Sequence, residues 1–505
     1  MTVHDIAARI KSRFIGLKEP AGYSFHNSIA GFALESRRPG DILIYAKYWL
    51  LIGGAILKFG GRLLLKKGPV GTIRVLVNYS WLFPLLRITQ FMSRISHGRK
   101  GAYLESTCLV THAMVVGLLQ TLEKAIYDPE HLLVQSYMLP TEIGRAMGLN
   151  VWFLELLGIP LPFVKHDYMD KYIDEAENLG INPDACSSPK SVMGMASKGK
   201  LPKSSVVVGT NLPCEAGAGV YSYIQQKWGV PVYRLDVPTK FYEERADKLF
   251  VEDLKGMIAF LEKHTPGRME WDRLRDICTA RNRMMELELE LWDMMRARPA
   301  PLAAEAVFLS HLFHFYWLPG DPLGVRLFEK LVNLAKENLR TKTPAVENER
   351  HRAVVWNPPF PHYTDLVNIL ERRYGITCLM DSMSYHHHPF IDTSTPETML
   401  RDLGNIIMQG PMVRHTRGPV ENFTDDIFRA YKQFDLDMII VANHMSCKNS
   451  HSAIGILREK CRKESIPLLV VDYDLMDARI VSQDNMLQQV DHFMENVMKA
   501  RPIGH

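Results

Sequence analysis

No Cys-x-x-Cys pair occurs anywhere in this chain, and its seven cysteines are spread over 505 residues. A disulfide scaffold is thereby excluded. The amino terminus lacks a charged stretch leading into an apolar secretory core, which together with the sparse thiols points to a reducing cytoplasm. Long apolar runs are missing too. The two uncharged runs near the start, 48–57 and 75–86, both fall short of the roughly 18 to 20 residues that span a bilayer. The segment 194–201, Gly-Met-Ala-Ser-Lys-Gly-Lys-Leu, has Leu201 where a phosphate-binding loop needs Ser or Thr, so ATP binding there is rejected. Gly217-Ala218-Gly219 lacks the third glycine of a dinucleotide fingerprint.

What is present describes an ordinary globular chain, 47% hydrophobic and 23% charged, with length for two or three domains. The net charge of +4 is unevenly placed. Residues 1–105 carry sixteen Lys or Arg against five Asp or Glu, a local +11. A helical arm that packs on a partner subunit accounts for this basic, apolar segment better than a helix lying on a membrane surface. No basic stripe joins with stacking aromatics in a nucleic-acid module, so no nucleic-acid partner is expected.

From about residue 139, short apolar strands alternate with helices, the pattern of parallel sheets covered by helices. We expect a basic, mostly helical N-terminal arm over 1–134, a first α/β domain with a helical layer over 135–345, and a second α/β domain over 346–505. The fold class is α/β, with two Rossmann-like parallel-sheet domains facing a cleft. Strands are expected at 205–208, 231–235, 353–356, 376–380, 438–442 and 467–472, and long helices at 241–263 and 272–296. Methionine and tryptophan in the latter, including Met284, Met285 and Trp292, read as core.

Three cysteines sit at strand ends or helix mouths: Cys186 before Ser187-Ser188-Pro189-Lys190, Cys214 after a Val-rich strand, and Cys447 before Lys448. Open α/β domains place chemistry at such loops, and helix N-termini and nearby cations favour thiolate. Lys190 and Lys448 supply such cations for Cys186 and Cys447. Taken singly, each cysteine reads equally as buried packing, and for Cys108, Cys278, Cys378 and Cys461 packing is the reading adopted. Tyr385-His386-His387-His388 reads as a loop lining the cleft, since adjacent histidines do not naturally face one metal and no partnering motif at helical spacing is apparent. The Asp472, Asp474, Asp477 and Arg479 tract reads as a solvated, ion-paired turn.

The surroundings of the cysteines resemble the 2-hydroxyacyl-CoA dehydratase and benzoyl-CoA reductase family from about residue 139 to 497. The resemblance is carried by Pro140-Thr141-Glu142, Cys186-Ser187-Ser188 with Gly199-Lys200-Leu201-Pro202, the strand to Cys214, Trp356-Asn357-Pro358-Pro359-Phe360, and His444-Met445-Ser446-Cys447-Lys448 followed by Ile466-Pro467-Leu468-Leu469. It implies a [4Fe-4S] cluster on Cys186, Cys214 and Cys447, with one iron open because a cubane normally takes four thiolates. It also implies an acyl-CoA substrate, a related second catalytic subunit and a separate iron-sulfur activator that hydrolyses ATP. Glu142 is implied as an active-site acid or base, and His444 as a partner of cluster sulfur or substrate. The closing region, 444–448 and 472–479, resembles the aromatic acyl-CoA reductase branch. A dehydratase subunit working through a ketyl radical is the nearer alternative, and a non-catalytic assembly paralogue the further one.

Overall fold

The computed structural model describes residues 38–503 apart from 158–159, 239–242, 344–348, 357–364, 383 and 387. Residues 357–360 of the Trp-Asn-Pro-Pro-Phe element and His387 thus lie outside the described residues. Two four-stranded parallel sheets form the frame. The first comprises β1 (Leu132–Gln135), β2 (Asn150–Phe153), β3 (Val206–Thr210) and β4 (Val232–Leu235) in the order β2-β1-β3-β4. The second comprises β5 (His351–Trp356), β6 (Ile376–Asp381), β7 (Met438–His444) and β8 (Leu468–Tyr473) in the order β6-β5-β7-β8. The two sheets share one strand order. In each, the chain leaves the first strand toward one neighbour and later returns to its other side, which opens a crevice at the carboxyl ends of β1 and β3, and of β5 and β7.

β1, β3, β6 and β7 are buried along their whole length, and β5 is buried after its half-buried first residue, His351. That is why they read as Val- and Ile-rich runs rather than as alternating patterns. The two long helices expected in the middle of the chain form at Glu244–His264 and Trp271–Met295, and Met284, Met285 and Met295 are core.

The basic N-terminal segment is helical and closely packed. The helix Pro39–Asn78, broken at Gly68 where φ is +65° ahead of Pro69, lies along the helix Gly101–Tyr127 and buries Tyr45, Tyr48, Ile52, Phe59 and Leu63. Arg99, between them, reaches Glu305 at 2.8 Å and Glu371, all three buried. This pins the segment to helices around the second sheet. Counting uninterrupted apolar runs understated the first helix. Its 40 residues include an 18-residue window of mean hydropathy 1.5 that is only 22% buried, long and apolar enough by composition to cross a membrane. Gly101–Tyr127 meets the same criterion but is mostly buried, as a core helix. On the open side of the first helix Leu43, Leu50, Leu57 and Leu64 recur at seven-residue steps, all exposed.

The helix Ser187–Ser197, which carries Cys186 at its start, lies against Asp170–Asn178. Their approach depends on Gly194, where a Cβ would fall 1.9 Å from the Tyr172 carbonyl oxygen. Gly194→Ala is therefore expected to cost about 2 kcal/mol or more through overpacking, read as a lowered urea midpoint. An unchanged midpoint would show that this helix pair is not so placed.

Candidate functional site

Each of the three singled-out cysteines is the residue immediately before a helix. Cys186 caps Ser187–Ser197, Cys214 caps Glu215–Trp228 and Cys447 caps Lys448–Glu464. Cys214 follows β3 in the first sheet and Cys447 follows β7 in the second, so they hold equivalent places in the two units. The fold brings all three together: the Cys186 sulfur feels both Cys447 and Cys214, and Cys447 feels Cys214. Backbone N–H groups point at the sulfurs, from Ser188 to Cys186, from Gly217 and Ala216 to Cys214, and from Ser450 and Asn449 to Cys447. Three helix N-termini thus converge on one anion-favouring centre. Gly217 keeps the Cys214 turn open, since a Cβ there would meet the Leu212 carbonyl oxygen at 3.3 Å and the Cys214 sulfur at 3.9 Å.

As free thiols all three are pushed above the ordinary range. Burial is the first cause in each; neighbouring sulfur adds for Cys186, Glu215 for Cys214, and Cys214 for Cys447. Deprotonating this trio therefore requires a positive charge at the centre, which a bound metal provides. The Lys190 cation is not that charge. Its amine is buried against Glu177 at 2.7 Å and the Pro183 carbonyl at 2.6 Å, turned away to the preceding helix and loop.

His444 supplies a neutral donor. The backbone N–H of Leu475 donates to its Nδ1 at 3.1 Å, so the proton of the neutral ring sits on Nε2, 3.2 Å from the Cys186 sulfur. Burial lowers the His444 pKa, and the partly offsetting charge of Asp474 does not reverse it.

Asp474 ties the two units together. Its Oδ1 accepts from the Ser187 hydroxyl at 2.5 Å and from the backbone of Met476 and Asp477, while Oδ2 accepts from the Ser446 hydroxyl at 2.6 Å. Ser187 adjoins Cys186 and Ser446 adjoins Cys447, and the Ser187 N–H also donates to Ser446 Oγ at 3.2 Å. The expectation of a solvated acidic turn is thus corrected. Asp474 and Asp477 are buried; Asp477 holds Arg479 at 2.8 Å, and Arg479 reaches Asp174 of the first unit.

Glu142 opens the helix Thr141–Ala146, fully buried and ion-paired with Arg281. The other four cysteines are buried packing. Sequence reasoning missed two features. One is a cavity of about 330 Å³, lined by Ile56, Phe59 and Leu63 of the first helix and by Phe153, Leu475 and Met476 among others, with Ser188 and Glu155 at its edge. The other is a buried cluster in which His386 and His388 stack with centroids 4.5 Å apart, beside His311, His314 and Glu288. The spacing of His311 and His314 on an apolar helix was its available signal.

Asp474→Ala is expected to cost about 3 kcal/mol in urea unfolding, since it strips two charge-assisted cross-links; a loss below about 0.5 kcal/mol would contradict this role. Burial pushes the carboxyl up, but His444, Ser187 and Ser446 hold it below its usual 3.8. A depressed folded value adds stability above the unfolded pKa and loses it as pH falls through the folded one. Wild type and Asp474→Asn should therefore differ near neutrality and converge as the pH falls through the carboxyl's depressed value.

A model of the family described as 2-hydroxyglutaryl-CoA dehydratase, D-component, matches residues 136–497. The match runs from the loop after β1 to just past the last helix and takes in all three cysteines, His444 and Asp474. No curated protein sequence matches the chain. With its paired parallel sheets and this match over most of its length, the chain belongs to the 2-hydroxyacyl-CoA dehydratase family, enzymes of the acyl-CoA dehydratase and reductase type.

Proposed function

We propose that this chain is the cluster-bearing subunit of a low-potential acyl-CoA reductase whose acyl group is apolar and uncharged, an aromatic ring being the group that fits best. The observation carrying this reading is the cavity beside the three cysteine N-caps. Among the described residues its lining contains no Lys, Arg or His, and its ionisable groups are Glu155, Asp381 and the Tyr137 phenol. A carboxylated acyl group such as glutaryl would meet no counter-cation there and would be desolvated beside two carboxyls. An aromatic or alkyl group would be surrounded by Leu, Phe and Met.

The donor set suits an iron-sulfur cluster: three thiols, backbone N–H groups aimed at each, and the His444 N–H on one. Bound to Cys186, Cys214 and Cys447, a [4Fe-4S] cluster supplies single low-potential electrons and one iron open to a further ligand. The cavity connects to that centre through Ser188, Leu475 and Met476, which adjoin Cys186, His444 and Asp474 in sequence or by hydrogen bond.

Glu155 is the proton source in this reading. It lies close enough to Cys214 for its charge to act on the thiol, and its Oε1 accepts from the Tyr221 hydroxyl at 3.4 Å while Oε2 has no partner. Burial, only partly offset by backbone N–H groups and Tyr221, raises its pKa to about 7. Reduction consumes protons as well as electrons, and a carboxyl that keeps its proton near neutrality can deliver one to an apolar site.

Segment 194–200 lies within and just after the helix Ser187–Ser197, which supports assigning ATP hydrolysis to a separate iron-sulfur activator. The leucine stripe at seven-residue steps on the first helix supports a related second subunit as its cover, ahead of a lipid surface. Seven free cysteines suit a cytoplasmic place. Dehydration of an apolar 2-hydroxyacyl-CoA is the second reading, favoured by the dehydratase description of the matching family.

The test is anaerobic turnover by the complex with its activator and ATP. Aromatic acyl-CoA reduced with stoichiometric consumption of electron donor is expected. Turnover confined to 2-hydroxyacyl-CoA without net electron use would replace the first reading by the second, and preference for 2-hydroxyglutaryl-CoA would contradict the apolar cavity. Glu155 donates only while protonated, so kcat/KM should fall about tenfold per pH unit above pH 7, and Glu155→Gln should lower the rate and remove that limb. The folded carboxyl also holds its proton more tightly than the unfolded one, so ionising it costs stability as pH rises from about 4.5 toward 7. Glu155→Gln should accordingly raise Tm at pH 8 and leave it unchanged at pH 4; the opposite order would refute the assignment.

A further inference from the structure

The second polar centre of this molecule lies among the helix Trp271–Met295, the π-helical turn Phe313–Trp317 and the loop after β6. We infer that Glu288, His314 and His386 form a binding site for one divalent transition-metal ion of the zinc(II) class, in addition to the cysteine site. One ligand atom from each of the three lies within 4.8 Å of those of the other two, and all three residues are buried. The Glu288 carboxylate is held from both sides, with His311 Nδ1 at 2.5 Å from Oε1 and His314 Nδ1 at 2.5 Å from Oε2. His386 Nε2 approaches the same Oε2 at 3.4 Å.

The nitrogens left over are the second observation. His314 Nε2 and both ring nitrogens of His386 are buried without a hydrogen-bond partner, and so is Nε2 of His388, whose ring stacks on His386. The side chains of His314 and His386 are 0% and 1% exposed. Buried polar atoms are rarely orphaned, because each costs about 1–3 kcal/mol, and a group of them in one cluster, with His386 Nε2 facing the Glu288 carboxylate, marks a place where a water or an ion is bound.

The donors select the ion. Imidazole nitrogen and carboxylate oxygen, without thiolate, suit Zn(II) and its neighbours rather than calcium or magnesium. The arrangement is also layered as metal sites are, with His311 bonded to the carboxylate oxygen opposite the one His386 approaches, and Trp292 and His388 packed on His386 with ring centroids at 4.9 and 4.5 Å. His311, in the α-helix Ala304–Leu312, and His314, in the π-helical turn that continues it, are three residues apart and so reach one carboxylate from the same face, and π-helical turns gather at functional positions. Three protein ligands leave one position for a water, in a site enclosed by core residues from both the helical layer and the second sheet. It clamps the loop that follows β6 to two helices of the intervening layer.

The test uses the full chain, freed of metal by a chelator under anaerobic conditions and titrated with Co(II) as a visible probe. About one cobalt per chain is expected, with ligand-field absorption free of thiolate-to-metal charge transfer and displaced by Zn(II). This uptake should be lost in His386→Ala and retained in Cys447→Ala. His386→Ala is the deciding variant because its ring nitrogens forfeit only the long 3.4 Å approach to Glu288, and circular dichroism checks its folding. No such uptake, or uptake that persists in folded His386→Ala, would overturn the proposal and leave a water in the cluster. Should His386→Ala not fold, X-ray absorption at the zinc edge of the intact chain decides, a nitrogen and oxygen shell supporting the site and a sulfur shell overturning it.

Discussion

Four oxygen and nitrogen atoms around the Asp474 carboxylate do more to define this molecule than any single cysteine does. Cys186 belongs to the first sheet's unit and Cys447 to the second's, more than 250 residues apart in the chain. They meet because Asp474 holds the serine next to each. Removing the carboxylate would take from the Ser187 and Ser446 hydroxyls and from the Asp477 N–H the acceptor they share, and would free the two helix mouths to separate. The bonds are worth most where they are, out of water and charge-assisted. His444, bonded to the residue after Asp474 and to the Cys186 sulfur, extends the same knot to the sulfur itself.

Around this knot the electrostatic design is consistent. The three helix N-termini favour negative charge on the thiols, but burial outweighs them and pushes each thiol above its ordinary pKa, so the centre suits a metal cluster that brings its own positive charge. The cavity beside it is apolar and, among the described residues, lined by no cation, with a carboxyl that retains its proton to about 7. In the proposed reading this excludes charge on the acyl side and holds protons where reducing equivalents would arrive. The helices Pro39–Asn78 and Gly101–Tyr127 supply one wall of that cavity, and the first of them also offers an exposed apolar stripe.

Much of this was legible in the sequence. The six strands read from apolar runs form within two residues of the expected positions, and the cysteine placements follow from them. β1 and β2 escaped notice because each has only four residues, and β2 carries Asn and two half-buried positions. The acidic tract after β8 was misread for a different reason: Asp474 looks solvated when its neighbours are counted, and only the fold shows that a serine from each unit faces it. Glu155 likewise carries no signal in its own neighbourhood, since its perturbed proton affinity comes from residues folded over it. The His-Glu cluster draws on three separate segments, and adjacency of His386 and His388 obscured that their partners lie about 75 to 100 residues earlier. Contacts between distant segments, not local propensity, are what sequence reading lacks.

The central claim is that three helix-capping cysteines from two sheets, joined through Asp474, hold one cluster. Iron and acid-labile sulfide per chain after anaerobic purification test it most directly, in wild type and in Cys186→Ala, Cys214→Ala, Cys447→Ala and the buried control Cys278→Ala. The account predicts about four irons and four sulfides in wild type and the control, and loss in each of the other three. Absence of iron in wild type, or iron indifferent to those three substitutions, would contradict it.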